Sequence, residues 1–189
     1  SQKRLSMFKK TLISLSIVLP LLFLGCSSDS DEEKSMVASS TFHLVDTKGV
    51  DYNVTKEGLN FYVKGHDGKV VMFDIFATWC PPCRAEAPNL SHLQKKYNDE
   101  LLILGVTIED GIANADLDAF KEKYGAEYAI VNSKDNEKLY RAIASATKAG
   151  QRFPIPFMVM YKDGQYITHY VGQTPEEMIE SDIKKALGK

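Results

Sequence analysis

Apolar residues along this chain fall into short runs that predict β-strands and into spaced positions that predict helices. The β-prone runs cover residues 42–45, 59–63, 70–77, 101–106, 128–131, 157–161 and 166–171. Two of these runs, 70–77 and 101–106, are almost wholly apolar, which is typical of strands that are buried on both faces. Strands that alternate with helices predict an α/β domain built on a central sheet.

Four helices are expected between or after these strands. Their inward faces are marked by Leu90, Leu93 and Tyr97, by Leu117, Phe120 and Tyr124, by the segment 137–144, and by Ile179, Ile183 and Leu187. The pair Asp163-Gly164 lies between the last two β-prone runs and predicts a hairpin turn. Thr174 and Glu177 predict a capping box at the start of the last helix.

The first 25 residues differ in pattern from the rest of the chain. Four bases and no acid precede an uncharged apolar stretch over residues 11–25. A transmembrane helix needs about 20 apolar residues, so this shorter stretch favours a signal peptide over residues 1–25.

Cys26 follows this stretch directly. The segment Phe23-Leu24-Gly25-Cys26 resembles the cleavage box of bacterial lipoproteins, which predicts that Cys26 carries lipid. The alternative is an ordinary free thiol. The polar residues that follow predict a flexible tether over 26–40, and the folded domain is expected over 41–189. We therefore expect an extracytoplasmic protein on the periplasmic side of a bacterial membrane, held there by its lipid anchor.

Length, composition and charge narrow the possible functions. The chain has 189 residues of which 44% are apolar, which fits one compact domain, and we expect a monomer. The net charge is −2 although four bases lie in the first ten residues, so the rest of the chain is mildly acidic. We expect no nucleic acid as a partner, because no basic surface is available to neutralise phosphates.

Cys80 and Cys83 are the strongest candidates for chemistry. They lie three residues apart at the predicted start of the first helix, so their side chains share a face and can form a disulfide. The positive end of the helix dipole favours the thiolate of Cys80, and the thiolate is the attacking species in disulfide exchange. We expect Cys80 to be the solvent-facing nucleophile and Cys83 to be the resolving thiol.

Two other interpretations of the cysteine pair are weaker. Half of a zinc site would need further ligands, but His66, His92 and His169 are scattered along the chain. An inert disulfide that closes so short a loop would restrain little entropy of the unfolded chain. We expect no cofactor apart from the redox-active disulfide, and no metal.

The segment Phe76-Ala77-Thr78-Trp79-Cys80-Pro81-Pro82-Cys83-Arg84-Ala85-Glu86-Ala87-Pro88, with Ile155-Pro156 and Gly172 downstream, resembles the TlpA/ResA-like extracytoplasmic thioredoxins. The resemblance extends from about Thr41 to the carboxyl terminus. It implies a thioredoxin fold, with a central mixed β-sheet flanked by helices, an N-terminal β-hairpin, and a central strand-helix insert over 108–151. It also implies a cis peptide at Pro156 beside the cysteines, and client proteins that bind at Trp79, Ile155 and Pro156.

Two acids are candidates to carry the proton of the buried thiol. Glu86 matches the glutamate of the ResA-like group, whereas Asp74 matches the buried aspartate of ordinary thioredoxin, a position where the ResA-like group more often has Asn. The alternative places Asp74 partly in solvent and Glu86 on the helix surface.

The leading interpretation of the chain is a thiol-disulfide oxidoreductase that reduces exported proteins, including apocytochrome c, with electrons from a membrane thiol reductase. Pro81 and Pro82 have no N–H to stabilise a thiolate at Cys80, which favours a reductant, and we expect Arg84 to lie in solvent. A thiol peroxidase or a non-catalytic binding module on the same fold are the alternatives.

Overall fold

The computed structural model describes residues 39–150 and 152–189. The predicted signal peptide, Cys26 and most of the predicted tether lie outside the described residues. Within the described residues, no helix is both long enough and apolar enough to cross a membrane.

Strands and helices alternate as the sequence predicts. The elements of the described residues are β1 Ser39–Val45, β2 Asp51–Glu57, β3 Asn60–Val63, β4 Val70–Phe76, α1 Pro81–Lys96, β5 Leu101–Thr107, α2 Asn114–Tyr124, β6 Ala129–Val131, α3 Asn136–Ala146, β7 Phe157–Lys162, β8 Gln165–Val171 and α4 Glu176–Ala186. The first strand begins at Ser39, two residues before the predicted domain boundary, because the backbones of Ser39 and Ser40 pair with β2.

The central sheet has five strands in the order β6-β5-β4-β7-β8. Strands β4, β5 and β6 are parallel to one another, whereas β7 is antiparallel to β4 and β8 is antiparallel to β7. Every residue of β4 and of β5 is buried, which explains their near-continuous apolar sequence. This is the mixed sheet of the thioredoxin fold, and the predicted fold class is confirmed.

Side chains of β4 alternate between two apolar cores, one on each face of the sheet. Val70, Met72 and Phe76 share a core with residues of α1, α2 and α4. Val71, Phe73 and Ile75 share the opposite core with residues of α3 and the amino-terminal strands. This alternation places Asp74, between Met72 and Phe76 in the even-numbered series, on the face that α1 covers.

The amino-terminal element is a three-stranded antiparallel sheet in the order β1-β2-β3, where the resemblance implied a hairpin. The sequence pattern missed β2, because its residues are mostly polar and only Val54 is fully buried. A strand-helix insert was expected over 108–151, and this segment contains one strand and two helices. It supplies α2, β6 and α3, and β6 forms the outer strand of the sheet beside β5.

The capping box predicted for the last helix is wrong. Helix α4 begins at Glu176, Pro175 occupies the N-cap position, and no side chain caps the helix. The hydroxyl of Thr174 instead donates to the carbonyl of Gly172 at 3.2 Å. A cap by Thr174 would require the helix to begin at Pro175, but the helix begins one residue later, at Glu176.

The predicted hairpin turn at Asp163-Gly164 is confirmed, and it also joins the two sheets. Both residues have positive φ, 50° at Asp163 and 75° at Gly164. The carbonyl of Gly164 accepts the backbone N–H of Phe61 at 3.0 Å, and the ring of Tyr62 occupies the space where a Cβ of residue 164 would lie. The turn therefore needs glycine for its backbone and for its packing.

Gly164→Ala should destabilise the domain by at least about 2 kcal/mol, because it combines an unfavourable positive φ with overlap of the Tyr62 ring. Urea unfolding measures the change. Gly49→Ala is the matched control, since Gly49 has φ +83° but open space around the added Cβ. The control should cost about 1 kcal/mol. Equal losses in the two variants would show that the contact with Tyr62 adds nothing to stability.

Candidate active site

The cysteine pair lies where α1 begins, after the carboxyl end of β4. Cys80 occupies the N-cap position of α1, with Pro81 and Pro82 in the first turn, and a disulfide joins Cys80 to Cys83 over a Cα–Cα distance of 5.3 Å. The backbone N–H of Cys83 is directed at the sulfur of Cys80 at 3.3 Å. Prolines suit this turn because the first amides of a helix lack partners within it.

The expectation that Cys80 faces solvent is wrong for this disulfide-bonded structure. The exposed fraction is 2% for Cys80 and 4% for Cys83. The carbonyl oxygen of Ile155 lies 3.7 Å from the sulfur of Cys80 and covers it. The position of Cys80 at the start of α1 therefore did not determine its exposure, because a second loop, which contains Ile155, packs against the same sulfur.

That second loop contains the cis peptide Ile155-Pro156, as the resemblance implied. Pro156 is buried, and its carbonyl accepts the backbone N–H of Gly172 at 2.8 Å. This hydrogen bond ties the loop before β7 to the loop after β8. Ile155 is half-buried, so part of its side chain lies at the surface beside the disulfide.

Trp79 is the large apolar side chain that the disulfide region presents to solvent. Its exposed fraction is 58%, although it directly precedes the buried Cys80. An exposed tryptophan beside a buried reactive group gives a partner protein an apolar surface to contact.

Charged side chains hold the peptide of Thr78 on both sides. One carboxylate oxygen of Glu109 accepts the backbone N–H of Thr78 at 2.6 Å, and the other accepts its hydroxyl at 2.9 Å. The Nε of Arg84 donates to the carbonyl of Thr78 at 2.6 Å. The guanidinium also lies 5.1 Å from the centre of the Tyr124 ring. The expectation that Arg84 is solvated is therefore wrong, because the helix turns its side chain back over the preceding loop.

Asp74 is buried in the middle of β4, with an exposed fraction of 3%. One carboxylate oxygen accepts the hydroxyl of Tyr128 at 3.1 Å, and the other has no hydrogen-bond partner among the described residues. Burial raises the pKa of Asp74 to about 7, although the hydrogen bond from Tyr128 lowers it. The alternative of a partly solvated Asp74 is excluded.

Glu86 lies one helical turn beyond Cys83, on the buried face of α1, with an exposed fraction of 1%. One carboxylate oxygen accepts the backbone N–H of Thr174 at 3.1 Å, and the other has no partner among the described residues. Burial raises the pKa of Glu86 to about 7; the hydrogen bond from Thr174 lowers it, and the charge of Asp74 raises it further. The alternative of a surface acid is excluded.

The two acids share the α1 face of the sheet with the cysteine pair. Each carboxylate keeps one oxygen without a hydrogen-bond partner, and each has a pKa near neutrality. Because two nearby carboxylates resist ionising together, the pair can take up and release protons near pH 7. Such a pair can accept the proton that a buried thiol loses during disulfide exchange.

Sequence reasoning missed three residues of this region. Tyr128 was predicted only as part of a strand, Thr174 was predicted as a helix cap, and Glu109 was not singled out. A buried carboxylate requires hydrogen-bond donors, so the identification of Asp74 gave reason to expect a partner. The sequence did not indicate which residue that partner is. Among residues 39–150 and 152–189, no group of three or more His, Cys, Asp and Glu residues could hold a metal ion.

Comparisons with known proteins agree with this geometry. The Redoxin family matches residues 47–187. Thiol-disulfide oxidoreductase ResA of Bacillus thuringiensis is 23% identical over 156 residues, which cover 82% of each chain.

Two solved structures share the fold. A thiol:disulfide interchange protein of the thioredoxin family from Chlorobium tepidum has a TM-score of 0.63 at 22% identity, covering 78% of this chain and 94% of that one. StoA from Bacillus subtilis has a TM-score of 0.55 at 16% identity, covering 76% of this chain and 96% of that one. With a family match over most of its length and a disulfide at the start of α1, the chain belongs to the Redoxin family.

Proposed function

We propose that this protein, a thiol-disulfide oxidoreductase, works as a reductant of disulfides in exported proteins. The observation that carries the proposal is the Cys80–Cys83 disulfide at the start of α1, with two buried acids of pKa near 7 on the same face of the sheet. This arrangement supplies a nucleophile, a resolving thiol and a proton acceptor from one short segment and one strand.

The first step forms a mixed disulfide. In the reduced protein the thiolate of Cys80 attacks one sulfur of a client disulfide, a new S–S bond joins Cys80 to the client, and the other client sulfur leaves as a thiolate. The start of α1 favours this thiolate over that of Cys83, which lies one turn further in. Trp79 and Ile155, both at the surface beside the pair, contact the client.

The second step releases the client. The thiol of Cys83 loses its proton to Asp74 or Glu86 and attacks the sulfur of Cys80, and the second client sulfur leaves as a thiolate. The client gains two electrons, and the protein ends with the disulfide that this structure contains. An acid with a pKa near 7 suits this role, because it is partly ionised at neutral pH and can still release the proton.

Local electrostatics favour a reductant over a strong oxidant. A strong oxidant has a highly stabilised thiolate, but the turn after Cys80 contains Pro81 and Pro82, which have no N–H. Among the described residues, the N–H of Cys83 is the one main-chain donor directed at the sulfur. The two buried acids disfavour a further negative charge nearby. Arg84 acts in the opposite direction, but its Nε is bonded to the carbonyl of Thr78.

A reductant outside the cytoplasm needs electrons from across the membrane. We propose that residues 1–25 are a signal peptide, that lipid on Cys26 anchors the protein to a membrane, and that a membrane thiol reductase renews its dithiol. The charged start, the short apolar stretch and Gly25-Cys26 support the export and the anchor. Apocytochrome c is one proposed client, because its haem-binding cysteines must be reduced before haem attaches.

The protein should reduce insulin in the presence of dithiothreitol, and its redox potential should lie nearer about −270 mV than about −120 mV. Turbidity of the released insulin chain measures the reduction, and equilibration in a dithiothreitol redox series measures the potential.

The matched variants are Cys80→Ser and Cys83→Ser. The first should not react with clients, whereas the second should accumulate mixed disulfides that gel electrophoresis without reductant reveals. Insulin binding without reduction would instead identify a binding module, and a potential near −120 mV would make the protein an oxidant.

Asp74→Asn should alter both disulfide exchange and stability as pH changes. A raised carboxyl pKa means that the folded state keeps a proton that the unfolded chain has released between pH about 4 and about 7, so the parent loses stability as pH rises through that window. Asp74→Asn should therefore be more stable than the parent at pH 8, by about 2 to 4 kcal/mol. Its exchange rate at pH 7 should fall by about tenfold or more.

Glu86→Gln should act in the same direction on both measurements, because its carboxyl is also buried with a raised pKa. Glu177→Gln, which removes an exposed acid of α4, is the control and should match the parent. Exchange profiles of Asp74→Asn and Glu86→Gln that superimpose on the parent between pH 5 and 9 would exclude both acids as proton carriers.

Lipid on Cys26 should be visible as added acyl mass on an amino-terminal Cys26 when the protein is extracted from membranes. Cys26→Ser should abolish this mass and release the protein into the soluble extracytoplasmic fraction. An unmodified Cys26, or a mature chain that begins elsewhere, would disprove the anchor.

A further inference from the structure

We propose that Tyr128 is the positioning residue for Asp74, holding one carboxylate oxygen so that the other is left to accept the proton. The inference rests on the proposed function, because it assumes that Asp74 carries the proton of Cys83. Tyr128 belongs to the central insert, which sequence analysis identified only as an addition to the fold.

The contact itself is specific. The hydroxyl of Tyr128 donates to one oxygen of Asp74 at 3.1 Å, and both residues are buried, with exposed fractions of 2% and 3%. The second oxygen of Asp74 has no partner among the described residues. A carboxylate held on one side only has a fixed orientation and one oxygen available for a proton.

The absence of a side chain at Gly105 leaves space for the ring of Tyr128. Gly105 of β5 pairs with Asp74 of β4, and a Cβ at residue 105 would lie 3.0 Å from the tyrosine ring and 3.1 Å from Ile130. The φ of Gly105 does not lie in the positive range that favours glycine. The glycine in this otherwise bulky, fully buried strand is therefore explained by the ring that lies over it.

The loop that carries Tyr128 is held from two helices. The Nζ of Lys121 on α2 donates to the backbone carbonyl of Tyr128 at 2.8 Å. The hydroxyl of Ser91 on α1 donates to the carbonyl of Gly125 at 2.6 Å and accepts the N–H of Glu127 at 2.7 Å. The backbone on either side of the ring is thereby fixed relative to the helix that bears the cysteines.

The tyrosine acts as a donor and does not itself carry the proton. Burial, and then the charges of Asp74 and Glu86, raise the pKa of Tyr128 well above its usual value, so the hydroxyl stays protonated at neutral pH. Charged groups near the pair are Glu86 from α1 and Lys121 from α2, and the charges of Lys48, Asp46 and Asp118 act on Lys121 in turn. The neighbours of Asp74 in β5 and β7, Gly105 and Met158, carry no charge.

The test compares the titration of Asp74 in the parent and in Tyr128→Phe, both with Glu86→Gln so that one buried carboxyl titrates. Carbon-13 NMR of the Asp74 carboxyl reads its pKa without relying on activity. Loss of a hydrogen bond to the charged form should raise this pKa by about 1 to 2 units. With Glu86 restored, the pH profile of insulin reduction should move upward in the same direction, while the KM for insulin stays at the parent value.

Two further variants complete the design. Tyr170→Phe removes a hydroxyl that donates to Asp182 at 2.8 Å, from a residue of the same apolar core, and should leave the Asp74 titration unchanged. Gly105→Ala keeps the hydroxyl of Tyr128 but displaces its ring, so it should also raise the Asp74 pKa. This variant tests the role of Tyr128 even if Tyr128→Phe does not fold.

An Asp74 titration that is unchanged in both Tyr128→Phe and Gly105→Ala would overturn the role of Tyr128. Failure of the parent to reduce insulin would count against the proposed function. The two failures are therefore separate observations.

Discussion

The burial of a carboxyl group inside the central strand is the constraint on which the site depends. Asp74 lies in β4 among side chains that are all buried, and it has one hydrogen-bond donor. An apolar residue at this position would satisfy the core at lower energetic cost, since removing a carboxylate from water is unfavourable. The fold retains the acid together with the tyrosine that donates to it and the glycine in the next strand that leaves space for the tyrosine ring.

Much of this fold could be predicted from the sequence, because apolar runs and turn residues directly report buried strands. The runs at 70–77 and 101–106 correspond to β4 and β5, and Asp163-Gly164 is a tight turn. Strand β2 was not predicted, because it is held mainly by pairing with β1 and β3, and Val54 is its one fully buried residue. A polar strand of that kind has no periodicity to detect.

The site could be predicted only in part, for a related reason. The spacing of Cys80 and Cys83 indicates a disulfide, and the position of an acid within an apolar strand draws attention to Asp74. The environment of each group comes from distant segments of the chain. The carbonyl of Ile155 lies against Cys80, and Tyr128 donates a hydrogen bond to Asp74, 54 residues away in the sequence. Tertiary packing determines both contacts. Local sequence carries no signal for them.

The peptide of Thr78, which Glu109 and Arg84 hold, is part of the segment 78–83 around the disulfide, where several main-chain N–H groups are not available to a client protein. The N–H groups of Thr78, Cys80 and Cys83 are used within the protein. Pro81 and Pro82 have no N–H, and neither has Pro156 in the loop that packs against Cys80. The segment 78–83 therefore keeps few main-chain N–H groups that could bind an anion. Apolar side chains of a client protein, which can lie against the exposed ring of Trp79, suit such a segment.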